Sequence, residues 1–190
     1  INGVELDVVY EAKLLGVIIR SDCKWSSNTK HIVKKAKSRL WFLRRIKYLG
    51  SSISTQLDLF KLFVRLALEF AVHLWGGSLN QGDSEAIERV QKNSVKFMLG
   101  NQYRSYEDAL KKLNLDTLKV RRKKLCLKFA RKAAKNERFK HWFPKKSSLN
   151  TRSKDIYIEP NAKTKRYANS SIPHMISCLL YTSPSPRDLS

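Results

Sequence analysis

Apolar and polar residues alternate at the head of the chain, and a helical period replaces this alternation further on. Apolar residues between positions 4 and 8 alternate with acidic ones, and a second apolar run spans 14–19 with Gly16 inside it. Alternation predicts half-buried strands, and a glycine within a strand often marks a bulge or a close backbone approach. We therefore expect a β-hairpin over residues 4–20.

Helical periodicity predicts five helices after the hairpin. They span residues 28–49, 54–75, 84–99, 105–113 and 117–136. Gly50 and Gly100 follow two of them as stop signals, and Ser105 with Asp108 forms a variant of the capping box. The segment 54–75 is apolar nearly all round, apart from a narrow charged stripe. We expect it to be the central buried helix, because its charges would be costly in a membrane.

The composition is strongly basic. Lys and Arg number 38 against 16 Asp and Glu, which gives a formal net charge of +22. Such an excess indicates a polyanionic partner, most commonly nucleic acid, although a membrane surface or a merely solvated surface would also fit. The three cysteines are too far apart for a zinc knuckle. Cys23 and Cys126 are expected to be small buried hydrophobes.

Two of the predicted helices concentrate the positive charge. Helix 28–49 carries, opposite its apolar face, the residues Lys30, Lys34, Lys37, Trp41, Arg44 and Arg45. Basic residues interleaved with aromatics can bind phosphates and stack bases, but Trp41 could instead pack against a neighbouring helix. Helix 117–136 has no acidic residue and carries a continuous stripe of Arg121, Lys124, Lys128, Arg131 and Lys135. We expect this stripe to contact phosphates, the alternative being a solvated face.

Other residues of helix 117–136 are expected to form its core face. They are Leu118, Leu125, Phe129 and Ala133. Beyond Pro144 the chain becomes polar and basic, and we expect an irregular tail over 144–177. Residues Cys178 to Asp188 match the translation of a transposase-type sequencing adapter. We therefore expect 178–190 to be an artefact of sequence assembly that takes no part in the fold.

The order of these segments resembles a known family. "KLLGVIIRSDCKW", "KAKSRLWFLRR", "LFVRLALEFAVHLW" and "IERVQKNSVKFMLG" are similar, in this order, to the C-terminal part of the reverse transcriptase of LINE-type, non-LTR retrotransposons. The resemblance implies the end of a polymerase palm over 1–22 and a helical thumb with a basic helical region over 23–143. The palm of this family ends in a primer-grip hairpin with a leucine-glycine pair, which Leu15 and Gly16 match, with Leu14 before them.

The resemblance also implies a fragment. The first methionine is Met98, and the family's catalytic aspartate pair is absent, since the only adjacent acidic residues are Glu107 and Asp108. No catalytic residue or metal ligand is therefore assigned here. Mg²⁺ is expected in the missing palm, and this fragment of an RNA-directed DNA polymerase should be inactive alone. Leu66 stands where the family often has a proline. The helix kink that a proline causes is therefore an open question at this position.

The implied partners are an RNA template and a DNA primer, held as a hybrid, together with the missing palm and fingers of the same chain. No membrane is involved, and the implied location is the nucleus and cytoplasm, as an intracellular ribonucleoprotein. The alternative reading is a stand-alone, non-catalytic helical module that binds RNA. For the fold, the prediction is a mainly α protein with an N-terminal β-hairpin, a helical thumb-like bundle and an irregular basic tail.

Overall fold

The structure is a computed structural model that describes residues 7–145 and 157–181. Within these residues the chain divides into two compact units. The first unit comprises 7–70 and 79–117, and the second comprises 71–78, 118–145 and 157–181. Helices dominate, and an antiparallel two-stranded hairpin precedes them. The predicted fold class is therefore confirmed.

The described elements are two strands followed by helices and short helical turns. In chain order they are β1 (Glu11–Leu14), β2 (Val17–Arg20), α1 (Ser26–Tyr48), α2 (Ile53–Leu59), a π-helix (Phe60–Arg65), α3 (Leu66–Glu69), α4 (Val72–Trp75), α5 (Gln81–Leu99), a 3₁₀ turn (Gly100–Gln102), α6 (Tyr106–Lys112), α7 (Leu118–Ala133), a 3₁₀ turn (Lys140–Trp142), α8 (Lys165–Ala168) and α9 (Ser171–Tyr181). Helix α4 belongs to the second unit, although it interrupts the first in sequence.

The hairpin differs from the expected one in the place of its turn. Its strands pair Ala12 with Ile19, so the turn is formed by Leu15 and Gly16 rather than by residues before 14. Both turn residues have a positive φ, +48° and +85°, as in the tight turns that suit the twist of a hairpin. The strand expected over 4–8 is wrong for residues 7 and 8, which lie outside β1, whereas 4–6 lie outside the described residues.

Gly16 confirms the expected close approach, although it forms no bulge. A Cβ atom at this position would lie 3.3 Å from Cε1 of Phe70. Because that distance is tighter than an ordinary van der Waals contact, and because φ is positive, glycine is the residue that suits both requirements. The hairpin turn therefore packs against Phe70, the residue that follows α3, within the first unit.

Helices α5 and α6 follow the sequence pattern closely. The predicted core residues of α5, Ile87, Val90, Val95 and Met98, are all at most 2% exposed. The helix begins three residues earlier than expected because the side chain of Asn80 accepts a hydrogen bond from Asp83 N. Ser105 caps α6 by accepting a hydrogen bond from Asp108 N, as its capping-box sequence predicts.

The segment 54–75 is not the single helix that was expected. Ser52, not Ser54, caps its first turn, a π-helix follows α2, and Ala71 adopts a left-handed conformation with φ +51°. Such a φ is rare outside glycine, and here it separates α3 from α4. The break also divides the segment between the two units.

Burial along this segment differs on one face from the pattern expected for a central buried helix. Four apolar side chains are 46–59% exposed: Leu62, Phe63, Leu66 and Phe70. The charged pair that was expected in a polar stripe, Arg65 and Glu69, is instead largely buried, with side-chain exposures of 16% and 8%. The expectation of a buried helix is therefore wrong for one face, because Phe60, Val64, Ala67 and Leu68 fill the core from the other.

The second unit is built on α7 and α9. Its core contains Ala130, Ala133, Phe143, Met175, Ile176 and Leu179. The segment expected to be an irregular tail thus forms two helices from residue 165 onwards. Leu179 is 8% exposed in this core, so the expectation that 178–190 takes no part in the fold is wrong there, while 182–190 lie outside the described residues. The helical spacing from Ile172 to Leu179 runs across the position at which the adapter match begins.

The two cysteines expected in the core have different environments. Cys126 is 1% exposed, as predicted, and its burial, with a smaller contribution from Cys178, raises the pKa of the thiol to about 12. Cys23 is exposed and has a φ of +54°, so the prediction for it is wrong. It follows the turn after β2 and lies in no element that would cover it.

We expect the second unit to lose stability as the pH falls from about 7.5 to about 5.5. His73 stacks on Phe129 with ring centroids 4.1 Å apart, and burial lowers its pKa. His174 is shifted in the same direction, by burial and then by Lys123. Because the unfolded histidines bind protons at a higher pH than the folded ones, acid favours unfolding. Thermal melts across this range measure the effect.

The variant His73→Phe is the control for this prediction. It retains a ring that can stack on Phe129 but cannot be protonated. We expect its melting temperature to depend less on pH than that of the unchanged chain, with the remaining dependence coming from His174. Equal slopes for the two proteins would contradict the assignment to His73.

Candidate nucleic-acid interface

The three residues predicted for the primer grip lie together at the hairpin turn. Leu14 and Leu15 are 59% and 88% exposed, and Leu15 holds a positive φ that is unusual for a leucine. The turn is nevertheless anchored. Val17 is 4% exposed, and the backbone N–H of Ile18 donates to Asn28 Oδ1 at 3.2 Å. The hairpin therefore presents an apolar tip from a fixed base in the first unit.

The predicted basic residues of α1 share one exposed surface, which we call the α1 basic face. It consists of Lys30, Lys34, Lys37, Trp41, Arg44 and Arg45, all of which are exposed. Ile32, Ala36 and Leu43 bury the other side of the helix, and α1 contains no acidic residue. Trp41 is 67% exposed, so the alternative that it packs against a neighbouring helix is wrong.

Lys47 is a cation of α1 that makes structural contacts. Its ammonium donates a hydrogen bond to the carbonyl of Phe97 and lies over the ring of that residue, 4.6 Å from its centroid. It is also 3.4 Å from the carbonyl of Met98. A cation at these last carbonyls of α5 is favourable, since they form the negative end of the helix dipole. Lys47 therefore ties α1 to α5, and the α1 basic face does not include it.

The predicted basic stripe of α7 lies opposite the buried face of that helix. We call it the α7 basic stripe, and it consists of Arg121, Lys124, Lys128, Arg131 and Lys135. Arg121 is half-buried and the other four are exposed. Lys135 lies just beyond the end of α7, at Ala133. With no acidic residue in the helix, four exposed cations follow one another at spacings that suit a phosphate backbone.

The buried face of α7 is rotated about the helix axis relative to the predicted core face. Leu118 and Ala133 are buried as expected, but Leu125 and Phe129 are only partly buried. The remaining buried positions are Arg122, Cys126 and Ala130. The prediction placed Leu125 and Phe129 in the core because large apolar residues are usually assigned to the core before arginine or alanine. The rotation places the basic stripe directly away from the core.

Sequence reasoning missed a groove beside the α1 basic face. Its volume is about 260 Å³, and it is lined by Lys37, Trp41 and Arg44 from α1 and by Asn93 and Phe97 from α5. Asn93 is exposed, and its side chain makes no hydrogen bond to another described residue. No local signal could reveal the groove, because its two walls are about fifty residues apart in the chain.

Residues 7–145 and 157–181 lack two kinds of feature. No helix in these ranges combines the length and the apolar character that crossing a membrane requires. No group of three or more His, Cys, Asp or Glu side chains within them is arranged to hold a metal ion.

Comparison with known proteins gives one short match. The family model described as "Alkylated DNA repair protein alkB homolog 8, N-terminal" matches residues 25–48, which are Trp25 and α1. No curated protein matches the chain. No solved structure matches it either. Since the family match covers far less than half of the chain, it is a local similarity of the helix that carries the α1 basic face, and it assigns the chain to no family.

Proposed function

We propose that this chain is the primer-grip, thumb and basic C-terminal part of a LINE-type retrotransposon reverse transcriptase, and that it holds the template–primer duplex by non-specific phosphate contacts. The observation that carries the binding part of this proposal is the α7 basic stripe. Its exposed cations point away from the core of their unit, and the helix contains no acidic residue. Cations in such an arrangement bind phosphates regardless of base sequence.

The assignment to a reverse transcriptase is supported by the hairpin. The leucine-glycine pair that resembles a primer grip lies at an exposed turn, and the turn leads directly through β2 into α1. A buried or misplaced pair would have weakened the resemblance. Mg²⁺ would be held by the aspartate pair of a palm, which this sequence does not contain. The role proposed for this chain is accordingly to grip the duplex, and no chemical step is assigned to it.

A stand-alone RNA-binding module is the second candidate function. The observation that favours it is the exposure of Trp41 among the cations of α1, which suits contact with unpaired bases. The nucleotide sequence upstream of the codon for Ile1 separates the two candidates. An in-frame aromatic residue followed two positions later by paired aspartates would support the polymerase fragment, whereas an unrelated reading frame would support the module.

Binding to duplexes tests the proposed grip. We expect the chain to bind an RNA–DNA hybrid and unrelated DNA duplexes with similar affinity, because phosphate contacts carry no sequence information. The logarithm of the binding constant should fall linearly with the logarithm of the salt concentration, by about 0.9 for each phosphate neutralised on duplex DNA. Fluorescence anisotropy titrations at several salt concentrations measure both properties. A binding constant that does not change with salt would contradict the proposal.

A further inference from the structure

We propose that the groove between α1 and α5 binds an unpaired nucleobase of a single-stranded segment, with the base stacked on Trp41. This inference deepens the proposed function and rests on it, since both require that the chain binds nucleic acid. It adds a ligand class that a grip on duplex phosphates does not need. The groove holds the elements of such a site: an exposed aromatic ring, two cations and an amide.

The aromatic ring suits stacking because it is held by a helix and yet open to solvent. Trp41 is 67% exposed, and the buried residues Ala36 and Leu43 fix the helix beneath it. A large aromatic side chain that contacts little of its own protein has most of its face available to a ligand. Stacking on bases is favourable for every base, since each has a π-face, so the groove needs no sequence preference.

The charges beside the ring favour a nucleotide over an apolar ligand. Lys37 and Arg44 lie one turn before and about one turn after Trp41 and line the same groove. They would lie close to the phosphates on either side of a stacked base. An apolar peptide side chain would leave these two cations without a matching group, whereas a nucleotide supplies both an aromatic ring and negative charge.

The opposite wall supplies the polar and apolar contacts that a base edge requires. The side-chain amide of Asn93 can donate and accept hydrogen bonds, and Phe97 provides an apolar surface half-covered by its neighbours. The volume of about 260 Å³ is slightly below the roughly 300–1,000 Å³ of sites for drug-sized molecules. A single base fits this size better than a base pair, and bases within a duplex are already stacked on their neighbours.

The test compares single strands with duplexes for the variant Trp41→Ala. We expect its affinity for oligothymidylate and oligouridylate to fall by roughly 5- to 140-fold, the range found for the loss of one stacked base. Its affinity for a blunt duplex should be unchanged. Tyr48→Ala is the matched control, because Tyr48 is exposed on the same side of α1 two turns further on and does not line the groove. It should leave both affinities nearly unchanged.

A second variant keeps the test decisive should Trp41→Ala fail to fold. Trp41→Phe retains a ring that can stack, so it should retain most of the single-strand affinity while losing the quenching of tryptophan fluorescence that a stacked base causes. Equal losses on single strands and duplexes, no loss on either, or quenching that persists in Trp41→Phe would each overturn the groove site. Loss of duplex binding by the unchanged chain, with single-strand binding intact, would instead overturn the proposed grip alone.

Discussion

Replacing Lys124, Lys128 and Arg131 with glutamine will weaken binding to every duplex alike and will make its salt dependence shallower. Each of these residues is exposed on the α7 basic stripe and can neutralise at most one phosphate. The slope of log binding constant against log salt should therefore become smaller in magnitude by about 2.7 on duplex DNA, at about 0.9 for each contact. Glutamine preserves helix propensity and side-chain length, so the melting temperature should change little.

The control removes the same charge elsewhere. Lys111, Lys163 and Lys165 are exposed residues outside both basic surfaces, and their replacement by glutamine lowers the net charge equally. If binding depends on the stripe, this control should lose much less affinity than the stripe variant. If both variants lose affinity equally, the overall net charge and not the stripe accounts for binding. If the stripe variant unfolds while its affinity holds, these residues support tertiary structure.

The basic surfaces were predictable because charge on a helix repeats with the helical period. Three or four residues separate successive members of the α7 basic stripe, so they share a side of any helix that forms there. The α1 basic face follows for the same reason. The hairpin tip was predictable only in part: the resemblance identified Leu15 and Gly16, whereas their place in the turn depended on the pairing of β1 with β2.

The end of α9 shows how an interpretation of the sequence can hide a structural signal. Ile172, Met175, Ile176 and Leu179 have the spacing of an amphipathic helix. The match to an adapter sequence begins at Cys178 and therefore assigns Leu179, the last residue of this pattern, to an artefact. Without Leu179, the preceding residues are interpreted as an irregular tail. Whether Leu179 is buried depends on where α9 packs in the second unit. The origin of the nucleotide sequence that encodes this residue does not determine the packing.

The helix break at Ala71 and the groove at Trp41 lay beyond sequence reasoning for a different reason. No glycine or proline marks the break between α3 and α4, where Ala71 adopts a left-handed φ. The groove requires two helices to pack with particular residues facing one another. Both features depend on tertiary contacts, and local periodicity contains no information about them.

The paired variants Phe60→Ala and Phe63→Ala will differ sharply in stability, although the two residues are three positions apart in the same π-helix. Phe60 is 0% exposed in the core of the first unit, and its truncation should lower the free energy of unfolding by about 3–5 kcal/mol. Phe63 is 46% exposed, and its nearest aromatic neighbour is Phe42, at 5.8 Å between ring centroids. Its truncation should cost only about 1 kcal/mol, since roughly half of its surface is already exposed to water.

Urea unfolding followed by circular dichroism measures this difference, with each variant compared at the same chain concentration. The sequence alone treats the two phenylalanines as equivalent, because the segment around them is apolar nearly all round. The structure separates them, since Val64 and Leu68 lie on the buried side with Phe60, whereas Leu62 and Leu66 lie on the exposed side with Phe63. Equal losses for the two variants would mean that Phe63 is covered in the folded chain, and the exposed face along 60–70 would then be wrong.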